Sequence, residues 1–150
     1  MLFFEDLEPG RELVSGPYEL TEAEVVAFAQ KFDPRPFHID AAAATASPFG
    51  GLIAASAHTF AIAQALAHKA EPLAVAAALG IDEMRLPTPA RPGDALWFSS
   101  TVIETRSSKS RPEGIARFQT IVRNGAGQPV LEYKITVLMQ RRQPAVQTPG

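Results

Sequence analysis

Apolar and polar positions recur in two rhythms along this chain, helical in the first half and alternating in the second. In Thr21-Glu22-Ala23-Glu24 a hydroxyl and a carboxylate stand at capping-box spacing. Val25, Val26, Phe28 and Ala29 follow at helical intervals and predict a helix over about 22–32. Pro34 and Pro36 oppose its continuation, because each lacks an N–H and biases the residue before it to extended backbone, so 33–38 reads as a stiff loop. Asp40 ahead of Ala41-Ala42-Ala43-Ala44 reads as an N-cap and a short helix, stopped by Pro48-Phe49-Gly50-Gly51. A further helix is predicted over about 52–69. Leu52, Ile53, Phe60, Ile62 and Leu66 among many alanines make it apolar nearly all round, as a helix enclosed by protein is.

From residue 80 the period becomes strand-like, and Pro87, Pro89 and Pro92-Gly93-Asp94 separate successive strands. Between Pro129 and Gln140, Leu131, Tyr133, Ile135, Val137 and Met139 alternate with Glu132, Lys134, Thr136 and Leu138, which predicts a half-buried antiparallel strand. Ile115 to Arg123 alternates likewise, and Asn124-Gly125-Ala126-Gly127 supplies the residues of a tight reversal between the two. A strand over about 94–106 contains Trp97, Phe98, Val102 and Ile103, and residues 12–19 add an edge strand. With no internal repeat and no linker, residues 1–142 read as a single α+β domain in which a sheet wraps the apolar helix. The tail from Gln143, with Pro144 and Pro149, is expected to be disordered.

Composition narrows the class. In 150 residues, 46% hydrophobic and 20% charged positions suffice for a self-supporting core and exclude disorder over most of the length. A net charge of −2 argues against binding nucleic acid along its backbone. The absence of cysteine removes disulfides, thiolate metal sites and cysteine nucleophiles together. Residues 1–6 turn acidic after four positions and lack the basic region of an export signal, so a cytoplasmic protein is expected. Ser56, His58, Thr59, Gln64 and His68 interrupt the apolar stretch from Gly51 to Lys69, and a buried helix, not a membrane span, is expected there.

Chemistry-bearing residues are few. Of the three histidines, His68 beside Lys69 reads as solvated. His58, within the apolar helix, reads as a core histidine with one hydrogen-bonded nitrogen, a catalytic role standing as the alternative. His38 follows Asp33 by five residues with two prolines between them. No single helix aligns that pair, but a proline-stiffened reversal between two helix ends presents both side chains to one cavity at little entropic cost. The dipoles of those ends favour a proton-accepting carboxylate and a neutral imidazole, which suits acid–base catalysis; a pair that only holds the loop is the other reading. There is no Gly-x-Ser-x-Gly elbow, phosphate loop, dinucleotide fingerprint or zincin spacing, so no metal site is expected.

The stretch Phe28-Ala29 through Asp33, with Pro36-Phe37-His38-Ile39-Asp40 and Ser47-Pro48-Phe49-Gly50-Gly51-Leu52-Ile53-Ala54, resembles the hydratase motif of the MaoC-like dehydratases, relatives of the (R)-specific enoyl-CoA hydratases. Leu86-Pro87 with Pro89-Ala90-Arg91-Pro92-Gly93-Asp94 is similar to the segment that leads into that family's long strands, and the likeness covers roughly residues 5–142. It implies a hotdog fold, a curved antiparallel β-sheet wrapped around a long central α-helix, as a homodimer or higher homo-oligomer with sites at the subunit interface. It also implies a part in fatty-acid metabolism. By the same resemblance Asp33 is the base and His38 its partner, together activating a water for addition across a trans-2-enoyl-CoA or removing it in reverse. Charge that builds on the thioester oxygen needs a fixed donor. In the family this is a backbone N–H of a His-Gly pair near the start of the central helix.

Ala55-Ser56 stands in place of that His-Gly, so the resemblance assigns the donor to the Ser56 N–H and puts Ala55, Phe49 and Gly51 beside the substrate, with His58 facing the same cavity. Arg35 replaces an asparagine of the Asp-x-Asn-Pro-x-His loop; it either pairs with Asp33 and weakens it as a base, binds an anionic group of the ligand, or simply faces solvent. Arg106-Ser107-Ser108-Lys109-Ser110-Arg111 reads as a solvated hairpin tip, or as a contact for coenzyme A phosphates. Phe3, Phe4, Phe49, Phe60 and Trp97 are expected in the core, a substrate tunnel being the alternative. The expected partner is an acyl-CoA or acyl-carrier thioester, with no cofactor beyond the coenzyme A of the substrate, and no nucleic acid or membrane. A hotdog thioesterase and a noncatalytic acyl-thioester binding module are the competing functions.

Overall fold

The computed structural model describes residues 1–143, so the expectation of a disordered tail lies, apart from Gln143, outside the described residues. Helix α1 (Glu22–Phe32) starts where the sequence indicates, with the Thr21 hydroxyl accepting from the Glu24 N–H at 3.2 Å. Only that half of the capping box forms, because the Glu24 carboxylate turns inward to other partners. The prolines do end α1, but 33–38 is not all loop. Pro36, with its φ already helical, opens a single turn, α2 (Pro36–Ile39). Asp40 then caps α3 (Ala41–Ala46), its Oδ1 accepting from Ala42 N at 3.0 Å and Ala43 N at 3.1 Å.

The central helix α4 (Ser56–Ala70) begins four residues later than the apolar run suggests. Residues 52–55 are extended and buried, tied by Ile53 N to Phe37 O (3.2 Å) and by Ala54 N to Ala90 O (2.8 Å). Those bonds satisfy the segment's backbone outside a helix, which apolarity alone does not reveal.

Five antiparallel strands follow the order β1-β3-β4-β5-β2: β1 (Glu12–Glu19), β2 (Val75–Arg85), β3 (Ala95–Ser107), β4 (Gly114–Arg123) and β5 (Pro129–Met139). Strand β2 starts at Val75, earlier than its alanines indicate. On β4 buried and half-buried residues alternate without a break, and Asn124 closes the β4–β5 hairpin by accepting from the N–H groups of Ala126 (3.1 Å) and Gln128 (3.0 Å). A bulge separates Ser15 from Tyr18 in β1, where Gly16 has φ +127° and a Cβ would lie 2.8 Å from the Leu96 carbonyl, so only glycine fits.

Ile62, Ala63 and Leu66 of α4 pack onto Leu96, Phe98, Val122, Leu131 and Tyr133 of the sheet. Full burial of Leu66 alone contributes roughly 1.5–3 kcal/mol. A second cluster, including Leu13, Val102, Phe118 and Met139, closes the other end. Two aromatic expectations fail: Trp97 is 49% exposed and Phe49 37%. Trp97 alternates away from the core beside Leu96 and Phe98, and Phe49 sits on the turn after α3. Phe60 does pack against the core, edge-on to Tyr133, and Phe4 packs against the second cluster beneath the guanidinium of Arg141, whereas Phe3 lies beneath that of Arg142. Among the described residues, no helix is long and apolar enough to cross a membrane.

Candidate active site

The turn from α1 to α2 brings Asp33 and His38 together. Asp33 is the C-cap of α1, its N–H donating to Ala29 O at 2.8 Å. The main chain then folds on itself, with Arg35 N donating to Asp33 O (2.8 Å) and His38 N to Arg35 O (2.9 Å). With Pro34 and Pro36 fixing two φ angles, this geometry exists before any ligand arrives. His38 Nε2 lies 3.5 Å from Asp33 Oδ2, and the imidazole is buried while the carboxylate is 29% exposed.

The other face of the ring sets its tautomer. His38 Nδ1 is 2.6 Å from the Ile53 carbonyl oxygen, which can only accept, so Nδ1 carries a proton. In the neutral ring Nε2 then holds a lone pair, and it faces a carboxylate oxygen that also accepts. Two acceptors 3.5 Å apart suit a shared donor, such as the two hydrogens of one water. The Ile53 contact also binds the pair to the extended segment that enters α4. Phe37 stands edge-on to His38 and packs on Phe49, which places Phe49 at the rim of the pair.

At the start of α4, Ala55 is the N-cap and fully buried, and it offers no capping side chain. The first N–H groups, Ser56 foremost, have no intrahelical acceptor, and the first helical bond is Thr59 N to Ala55 O at 3.0 Å. Gly51 lies under Arg91, whose Nη2 donates to the Phe49 carbonyl at 2.6 Å. Arg35 does reach Asp33, with Nε 3.1 Å from Oδ1, so the two carboxylate oxygens face different cations or proton carriers.

His58 does not join the pair. Its Nε2 meets Glu24 Oε1 at 3.0 Å and its ring stacks on Phe28, centroids 4.4 Å apart and 7° from parallel. The Tyr18 hydroxyl donates to the same Glu24 oxygen; burial, and then that carboxylate, push the Tyr18 phenol up to about 12. Glu24 and Tyr18 carry no local sequence signal for this role, since β1, α1 and α4 each supply one member. His68 is exposed, as expected. Residues 108–113 form the β3–β4 tip, and the Ser107 hydroxyl before it accepts from Arg141 Nη2 at 2.9 Å.

A cavity of about 320 Å³ lies between α4 and the sheet, lined by Gln64, His68, Phe98, Ser100, Thr120 and Tyr133 among others. None of Asp33, Arg35, His38 or Ser56 lines it. Among the described residues no group of three or more histidine, aspartate or glutamate side chains is placed to hold a metal ion.

Comparison with known proteins sets this geometry in context. A family model described as "MaoC like domain" matches residues 6–124. The MaoC-like dehydratase from Rhodospirillum rubrum superposes with a TM-score of 0.88 at 38% identity, over 96% of this chain and 100% of that one. A Mycobacterium tuberculosis protein described as having a double hotdog fold superposes with a TM-score of 0.80 at 19% identity, over 99% of this chain and 46% of that one, and so speaks for the fold alone. Mesaconyl-CoA hydratase from Haloarcula hispanica is 38% identical over 74 residues, 48% of this chain and 21% of that protein. The match thus spans about a fifth of that curated relative. The sheet wrapped on α4 is the hotdog fold.

Proposed function

Because the chain belongs to the MaoC-like dehydratase family, we propose that it adds water to, or removes it from, the double bond of an enoyl thioester, with Asp33 and His38 as the acid–base pair. The observation that carries this reading is the shared-acceptor geometry: with Nδ1 protonated on Ile53, His38 Nε2 and Asp33 Oδ2 both accept, 3.5 Å apart. A water donating to both is held and polarised at once. Its oxygen bonds to the β-carbon as the pair takes one proton, the π electrons move onto the thioester oxygen as an enolate, and that proton returns to the α-carbon. Water is consumed whole and the pair ends as it began. The unpaired N–H at Ser56, on the positive end of α4, is a suitable donor for the enolate oxygen. Binding without turnover would not call for two acceptors converging on one water; hydrolysis of the thioester would use the same pair, and release of thiol is what separates it from hydration.

The haloarchaeal relatives bear the name mesaconyl-CoA hydratase, and the match to them covers 21% of their length, so we take from them only the substrate class, an enoyl-CoA. The reading includes a homodimer. All of β2 is exposed in the single chain, and its free edge, with Leu79 53% and Ile81 41% exposed, suits pairing with a second copy.

The test is loss of the enoyl-thioester absorbance band on mixing purified protein with crotonyl-CoA and longer trans-2-enoyl-CoAs. Asp33→Asn, which keeps the shape but not the base, is expected to lower kcat at least 100-fold while circular dichroism and melting stay those of the wild type. Unchanged turnover in that variant would refute the assignment, and release of free thiol without loss of the double bond would point to the thioesterase.

A further inference from the structure

Arg35 sits against the Asp33 carboxylate on the exposed side of the turn. Its Nε is 3.1 Å from Asp33 Oδ1, yet the side chain is 67% exposed and takes part in no side-chain hydrogen bond among the described residues. Its two Nη groups are therefore uncommitted. An exposed pair of this kind separates at small cost. The turn does not rely on it, because the backbone bonds from Arg35 N and His38 N, with Pro34 and Pro36, hold 33–38 in place. The guanidinium is a movable cation on a rigid turn, beside the base.

We propose that Arg35 is a carboxylate receptor, and that the acyl thioester this site takes carries a free carboxylate close to its double bond. This rests on the reading of Asp33 and His38 as the hydrating pair. While Arg35 covers Oδ1, a cation occupies one of the two oxygens of the Asp33 carboxylate. A substrate carboxylate offers the guanidinium two oxygens in the planar fork it prefers, an arrangement a single Nε contact lacks. Drawing Arg35 onto the substrate anchors the acyl group beside the base and takes the cation off Asp33 in the same movement. Neutral acyl chains leave the guanidinium where it is. The site therefore discriminates in favour of thioesters of dicarboxylic acids, through a residue two positions from Asp33 on the same turn.

Two saturated thioesters that cannot be hydrated separate recognition from chemistry. Succinyl-CoA and butyryl-CoA share a four-carbon backbone and differ in a terminal carboxylate. Calorimetric titration of the full chain is expected to give succinyl-CoA about a tenfold tighter Kd, equivalent to about 1.4 kcal/mol. Arg35→Gln should remove that preference by weakening succinyl-CoA alone, and Arg35→Lys should restore part of it as a point charge. In turnover, the kcat/KM ratio of fumaryl-CoA to crotonyl-CoA should collapse in Arg35→Gln. Equal binding of the two probes by wild type, a preference that survives Arg35→Gln, or failure of both probes to bind would each overturn the proposal. If the succinyl preference holds but no enoyl thioester is hydrated, the hydratase reading falls and the receptor stands. If hydration holds without the preference, the receptor alone falls.

Discussion

Removing the Glu24 carboxylate should destabilise the protein far more than a helix-surface substitution does, and the structure permits the size to be worked out. Glu24 Oε1 accepts from both the Tyr18 hydroxyl and His58 Nε2, while His58 is 2% exposed with Nδ1 already unpartnered. Glu24→Ala deletes two hydrogen bonds worth about 1 kcal/mol each and strands a buried ring nitrogen at roughly 1–3 kcal/mol. Water reaching the third of Glu24 that is exposed offsets part of this, leaving about 2–4 kcal/mol. For a domain of this size that lowers Tm by roughly 4–16 °C. His58→Phe should be nearly neutral by comparison, since it keeps the stack on Phe28 and removes the unpartnered nitrogen along with the bonded one. In that background Glu24→Ala should cost only the Tyr18 bond, about 1 kcal/mol. Urea and thermal unfolding of the two single variants and the double variant measure the coupling directly. If Glu24→Ala costs the same in both backgrounds within about 0.5 kcal/mol, the two side chains are energetically independent and the reasoning fails.

The remaining predictions concern protons and assembly. The only two tyrosines, Tyr18 and Tyr133, are both pushed up to about 12, chiefly by burial, so near-ultraviolet titration should show no phenolate at pH 10, and a midpoint there for either would contradict the packing. Each holds its proton more tightly folded than unfolded, so the stability this contributes is intact below about pH 10 and is lost as pH rises toward 12. Light scattering on a sizing column should give twice the 16.1 kDa chain mass, and Ile81→Lys, placing a charge on the exposed β2 edge, should shift it toward one chain; a wild-type monomer would rule out the dimer.

What could be read in the sequence follows from the range of the interactions involved. Local signals were legible: Thr21 and Asp40 announce α1 and α3 through cap bonds spanning two or three residues, and Asn124 announces its hairpin through bonds spanning two and four. The acid–imidazole pair was legible for the same reason, being five positions apart within a turn stiffened by prolines. The start of α4 was not. Leu52-Ile53-Ala54-Ala55 suits a buried helix as well as a buried extended segment, and what decides between them is partners at Phe37 and Ala90 that the local pattern does not contain. The inward turn of Glu24 was hidden likewise, because its spacing from Thr21 satisfies a cap while His58, 34 residues away, claims the carboxylate. Trp97 shows the converse limit: size and apolarity favour the core, but the alternation fixed by Leu96 and Phe98 puts it outside.

The acceptor that fixes His38 is a peptide carbonyl, not a side chain, and this bears on how the site can drift. When a carboxylate orients an imidazole, one nucleotide change can erase the orienting group. Here any side chain may replace Ile53 and the oxygen 2.6 Å from Nδ1 is still supplied, provided the backbone keeps its path. Substitutions at position 53 are thereby expected to read out as packing defects and not as lost proton chemistry. The tautomer is inherited with the fold, and among protein side chains only changes to the histidine itself or to the course of the main chain can take it away.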